Sequence, residues 1–377
     1  MKRFGRTGRQ FAAFTVIALF QSACGGGSAP AKDAGRQPDA QFDARVDAPA
    51  EDVRTEQRPD AAGTGGAAGG GADGRSRDAG AGGGAPPDGS SSSCDAATCA
   101  PVVVAAHQTL PCGLAIDSEN VYWTLGSGEV VKAPIAGGEG TPLASAQANP
   151  CGIAVDGPNV YWLNDAALGQ VMTVPIAGGS PTKLADSIGS PSNLVIRAET
   201  LYWTSQTEGT ISMMPETGGT PVVLASRQAT PVAIDVDGQA VYWTTFGASA
   251  IRFLTLSPRG AVTTLADDQD AASGLRVTDG FAYWTQSESG TVSRAALTGG
   301  QPTLLGTTAS AYGLAVDDQH VYWTDDVSGT VQRVALTGGA TTVLATDQAI
   351  PTAMAVDAQN IYWVDSDVDG AVMRLAK

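Results

Sequence analysis

The chain has 377 residues, with 22 Lys and Arg set against 38 Asp and Glu, for a net charge of −16. That balance argues against a nucleic-acid partner, because phosphate binding relies on clustered Lys and Arg. From Pro101 onward there are 11 basic and 26 acidic residues, so this stretch alone carries −15, which favours solubility and repels anionic surfaces.

In chain order, residues 1 to 23 read as a secretion signal. Lys2, Arg3, Arg6 and Arg9 make a basic start, followed by the apolar run FAAFTVIALF at 11 to 20. Ten apolar residues are too few for a bilayer span, which takes about twenty. QSAC then ends at Cys24. It resembles the lipobox of bacterial lipoproteins, with Gln21 where an aliphatic residue is usual. The resemblance implies cleavage before Cys24, a lipid on its sulfur and attachment to the bacterial cell envelope, at the outer membrane or cell surface. Cleavage without lipidation would instead give a secreted or periplasmic protein. Residues 24 to 100 are rich in Gly, Ala, Pro and Asp, as in AAGTGGAAGGGADG. Such composition cannot bury enough apolar surface to offset chain entropy, so a disordered tether is expected, with an average reach of about 45 Å.

Beyond the tether, seven tryptophans occur, and each follows a tyrosine: Trp123, Trp162, Trp203, Trp243, Trp284, Trp323 and Trp363. The pairs recur at intervals of 39, 41, 40, 41, 39 and 40 residues. A period of this length, filled with short strands, points to a β-propeller with one blade per repeat. In one unit GLAVD, HVYWTD, GTVQRVAL and TTVLA follow one another between residues 313 and 345. Each piece has strand patterning, and the DDQ, DVSG and TGG between them are turn chemistry. The seventh unit stops after its third strand, whereas VVVA at 102 to 105 aligns with the fourth-strand VLA. The sequence therefore predicts an all-β domain over 101 to 377, a seven-bladed propeller of four-stranded antiparallel blades closed by the N-terminal strand. A monomer is expected. Strand side chains alternate between faces, so adjacent Tyr and Trp fill the gaps on both sides of a blade, each indole contributing about 4–6 kcal/mol gross by area. An aromatic ligand platform would instead need the rings exposed.

VYWTD at 321 to 325 resembles the YWTD repeat of low-density-lipoprotein-receptor-like propellers, across 101 to 377. The resemblance implies the fold and no receptor biology. YWTD propellers usually have six blades, and the final Asp recurs here only as Asp325 and Asp365. Streptogramin lyases are seven-bladed propeller enzymes that depend on a histidine and a metal. The two histidines here, His107 and His320, sit in or beside turns, and no HExxH, GxSxG or other catalytic constellation is visible. No cofactor is required by this reading.

Four cysteines follow Cys24. Cys112 and Cys151 open equivalent inner strands, so the expected bridges are Cys112–Cys151 and Cys94–Cys99. The inner-strand position that is Ala or Val elsewhere becomes Asp235 and Arg276 on adjacent blades, which suggests a structural interblade ion pair. DSDVDG, with Asp365, Asp367 and Asp369, resembles a calcium loop, and Asp325 next door could complete it; a solvated acidic turn is the alternative. A protein or glycan partner would meet the loops joining fourth to first and second to third strands, where Arg227, Gln228, Phe246, Asp267, Asp268, Asp270, Asp325 and Asp326 lie. Tyr312, the only tyrosine outside the repeat motif, is expected there as an exposed anchor. The functional expectation is an envelope-anchored binding or scaffold propeller, touching membrane only through its lipid. The alternative is a lyase or hydrolase using acidic residues at the channel mouth.

Overall fold

The computed structural model describes residues 100–377 except Ala167; the expected signal, tether, lipidation site Cys24 and Cys94–Cys99 bridge lie outside the described residues. Twenty-eight strands form seven four-stranded antiparallel sheets and no helix occurs among the described residues. Blade 1 runs Pro111–Ile116, Asn120–Leu125, Glu129–Pro134 and Thr141–Ala144 from axis to rim. The last blade takes Pro351–Val356, Asn360–Asp365 and Gly370–Ala376 from the C-terminal end, and Val102–Gln108 supplies its outer strand. The predicted closure is therefore present, with Val102 opposite Arg374 and Gln108 opposite Gly370.

The seams explain the Tyr-Trp pairs. All seven indoles are at most 1% exposed, so they are core and not a platform. Seven separate apolar clusters fill seven seams, and each joins the Tyr of one blade to the Trp of the next: Tyr122 with Trp162, Tyr161 with Trp203, and so round to Tyr362 with Trp123. Polar tips of these rings need partners when buried. The repeat supplies them at fixed offsets. In four blades the Tyr hydroxyl donates to the Asp five residues before it, at 2.5 Å for Tyr122 to Asp117 and 2.8 Å for Tyr362 to Asp357, whereas Tyr161 donates to Glu216. Burial opposes ionisation of these carboxyls, yet the hydroxyl and two backbone N–H groups together hold Asp117 and Asp357 below the usual range. In four blades the indole N–H donates to a Gln fifteen residues earlier, as in Trp123 to Gln108 at 2.8 Å and Trp284 to Gln269 at 2.8 Å, and in blade 2 Trp162 donates to Asn164 at 3.0 Å. Ile188 and Thr308 replace that Gln in two units, and there the N–H groups of Trp203 and Trp323 are buried without an acceptor.

In five blades a Thr follows the Trp and ties down the inner strand. Thr324 accepts from Gly313 N–H at 2.8 Å and donates to the Thr352 carbonyl of the next blade at 3.0 Å; Thr285 does the same with Gly274 and Tyr312. A bulge in each inner strand makes room for this bridge. The approach is close enough that a Cβ on Gly313 would collide with the Thr352 carbonyl. Such stitches, with Thr204 making a third to the Val232 carbonyl, join neighbouring inner strands, and the seven inner strands form the walls of what lies between them.

Candidate functional site

A central cavity of about 990 Å³ runs between the inner strands and opens on the face built by the second-to-third-strand and fourth-to-first-strand loops. The residue after each second strand points at its mouth. In blade order these are Gly126, Asp165, Gln206, Phe246, Ser287, Asp326 and Ser366, and all but Gly126 line the cavity. Below them the inner strands contribute Ser192, Asn193, Ser273, Tyr312 and Thr352. Every seam keeps its Tyr-Trp pair, whereas the mouth carries five residue types over seven blades, only Asp and Ser occurring twice.

Burial shapes the acids of the mouth. Desolvation raises Asp165 to about 6, a Ser190 hydrogen bond opposing it only in part. Desolvation also raises Asp326, against a Ser310 hydrogen bond, and its Oδ1 is buried with no hydrogen-bond partner. The neighbouring Asp325 shows the contrast. Its oxygens accept from the Thr308 hydroxyl, Ala309 N–H at 2.8 Å, Val327 N–H at 3.0 Å and Ser328 N–H at 2.8 Å, and together these outweigh burial and lower its pKa. Burial, helped by the nearby Asp326 charge, pushes the Tyr312 hydroxyl up to about 12, so the phenol stays neutral and able to donate.

Several expected site residues are placed differently from the sequence reading. Tyr312 is half-buried in the cavity wall and is not an exposed rim anchor. Phe246 and Asp326 join it there, while Arg227, Asp267, Asp268 and Asp270 are exposed on the rim outside the lining. Gln228 and Asp325 are buried structural groups, the former accepting the Trp243 N–H at 3.2 Å.

The calcium site is not assembled. No group of three or more His, Cys, Asp or Glu among the described residues is positioned to hold a metal. Asp325 is used up as a turn cap, Asp367 accepts its neighbour Val368 N–H at 2.6 Å, Asp369 meets His107 at 2.8 Å, and Asp365 lies in the seam sharing the Trp363 N–H with Gln348.

The Cys112–Cys151 bridge is also absent. Cys151 is a free thiol, directed at the Pro191 carbonyl at 3.5 Å and pushed up to about 12 chiefly by burial; Cys112 is disulfide-bonded, and not to Cys151. Rotational symmetry gives the reason. Equivalent side chains on successive blades point the same way round the ring, so two of them do not face each other. The same rule separates Asp235 from Arg276. Asp235 accepts Val277 N–H of the next blade at 2.7 Å and its own Val236 N–H at 2.8 Å, while Arg276 donates to the Leu275 carbonyl at 2.9 Å. Burial raises the Asp235 pKa; the Arg276 charge acts against this from beyond contact.

Sequence reading missed Asp165, Gln206, Glu288 and the serines of the lining. Stacking the seven units column by column would have found them, since they occupy the columns that vary.

No protein-family model matches this chain, and no curated protein matches it. Solved structures do. Virginiamycin B lyase from Staphylococcus aureus, in a catalytically inactive histidine-to-alanine form with quinupristin, is 14% identical with a TM-score of 0.64, covering 74% of this chain and 99% of that one. A streptogramin B lyase structure is 12% identical at 0.63, covering 74% and 96%. The computationally designed Ika8 protein is 14% identical at 0.54, covering 73% and 99%. A nidogen/laminin complex gives 19% and 0.48, covering 56% of this chain and 87% of the other. At these identities the likeness shows the propeller fold alone. Neither His107 nor His320 lines the cavity of this chain.

Proposed function

We propose that this chain is a binding propeller, anchored to a bacterial envelope through lipid on Cys24, that takes its ligand at the mouth of the central cavity. The observation that carries this is the division of labour in the repeat. Every seam keeps the Tyr-Trp pair, yet the mouth column runs through Asp, Gln, Phe, Ser and Gly. Packing alone gives no reason for such variety at one level of the ring. A cavity near 990 Å³ with a few converging polar groups fits a small ligand, or the protruding group of a protein or glycan partner.

The enzyme reading rests on one observation, that Asp165 and Asp326 are both raised as a general acid requires. Their hydrogen-bonding side chains are Ser190 and Ser310, and no histidine accompanies them. Binding is therefore the better-supported role.

The test is a thermal-shift screen of soluble metabolites and oligosaccharides with the full chain, repeated on Phe246→Ala and Tyr312→Ala. Ligands that stabilise the wild type and lose their effect in these variants support the reading. Ligands that act equally on all three proteins place the site elsewhere and refute it.

A further inference from the structure

The acids of the mouth differ from the donor-capped acids of the turns. Away from the mouth, Asp117 has the Tyr122 hydroxyl and two N–H groups and Asp325 has four donors, while Asp365 in the last seam keeps one unpartnered oxygen. At the cavity mouth Asp165, Glu288 and Asp326 lie on three of the seven blades without a countercharge. Among the described residues the ion pairs are His107–Asp369, Lys183–Asp186 and Lys377–Asp317, none of them in the cavity. Arg276 is the one basic residue in the lining. It sits deeper, one residue past Leu275 on the inner strand, with its guanidinium turned to a carbonyl. A partly desolvated carboxylate with no cation nearby is costly, and such groups cluster where a ligand supplies what is missing. Asp326 is the sharpest case. One oxygen has Ser310, while the other is buried without any partner. Beside it Tyr312, and further round the ring Phe246, offer aromatic faces of the kind that hold cations as well as apolar bodies.

We infer that the mouth of the cavity binds an amine cation carried on an apolar or aromatic body, with the ammonium group at Asp326 and the body against Tyr312 and Phe246. Asp165 and Glu288 add attraction for the same charge from the facing walls. The inference rests on the cavity being the ligand site and adds the chemical class.

Three probes share one body and differ in charge: tyramine is a cation, tyrosol is neutral, and 4-hydroxyphenylacetate is an anion. Calorimetric titration of the full chain is expected to rank them in that order, with tyramine about tenfold or more tighter than tyrosol, as a charge-assisted contact gives. Asp326→Asn, a near-isosteric change, is expected to erase that preference and to leave the fold intact by circular dichroism. Equal affinity for the three probes, preference for the anion, or no heat from tyramine at millimolar concentration overturns the cation assignment. Failure of the broader reading looks different: ligands from the screen would then bind Phe246→Ala and Tyr312→Ala as well as they bind the wild type.

Discussion

Replacing Asp365 by Asn should stabilise the protein at neutral pH and do little in acid. Asp365 is 7% exposed, its Oδ1 has no partner, and burial raises its pKa from 3.8 to about 6 against hydrogen bonds from Ala349 N–H and Trp363. A folded-state pKa above the unfolded one means that the folded state holds the proton more tightly. The contribution to stability is complete below about pH 4 and is lost as pH rises through 6. Two units amount to roughly 3 kcal/mol at pH 7.5 and to about 0.5 kcal/mol at pH 4. Blade 2 already contains the replacement. There Asn164 accepts the Trp162 N–H at 3.0 Å and donates to Gln147 at 3.1 Å, and Gln348 holds the place of Gln147 in the last blade. The melting-temperature gap between Asp365→Asn and wild type should therefore widen by roughly 5–8 °C between pH 4 and pH 7.5, followed by calorimetry. An equal gap at both pH values, or a variant that melts lower at pH 7.5, would refute the account of Asp365 as an unpaired buried carboxylate.

Gln269→Leu leaves the Trp284 N–H buried and unpaired, and should cost about 1–3 kcal/mol in denaturant unfolding. In a Trp284→Phe background the same change should cost clearly less, and an unchanged cost would remove the role given to the Gln. Non-reducing peptide mapping should link Cys112 to a cysteine other than Cys151, and iodoacetamide should label Cys151 only after unfolding; labelling of the native protein would contradict its burial. Cys24→Ser should move the protein from the detergent phase to the aqueous phase in Triton X-114 partition, and a wild type already in the aqueous phase would exclude the lipid anchor.

The architecture was open to reading because a forty-residue period and a missing fourth strand are properties of the chain itself. The purpose of the Tyr-Trp pair was legible only in outline. Its Asp and Gln partners stand at constant offsets in the sequence, but hydrogen bonding between them becomes visible only once the strands are paired. The mouth was harder still. Asp165 and Gln206 stand in a column that carries five residue types over seven blades, so a search for regularity passes over them, while Asp325 and Asp365 repeat and attract attention as ligands although they lie in a turn and a seam. The two cysteines misled for a related reason, since equal rank in a repeat fixes distance from the axis and also forces a common direction.

Closing the ring with residues from opposite ends of the domain has a consequence for how it forms. His107 and Asp369 meet across 262 residues of sequence, and Trp123 has its seam filled by Tyr362. As the chain is made, the first indole stays wet until the last blade arrives, although each hairpin can form alone. The clasp is thus fastened last and releases two units at once, so loss of the final strand should expose apolar surface at both ends of the circle and leave the domain prone to aggregate.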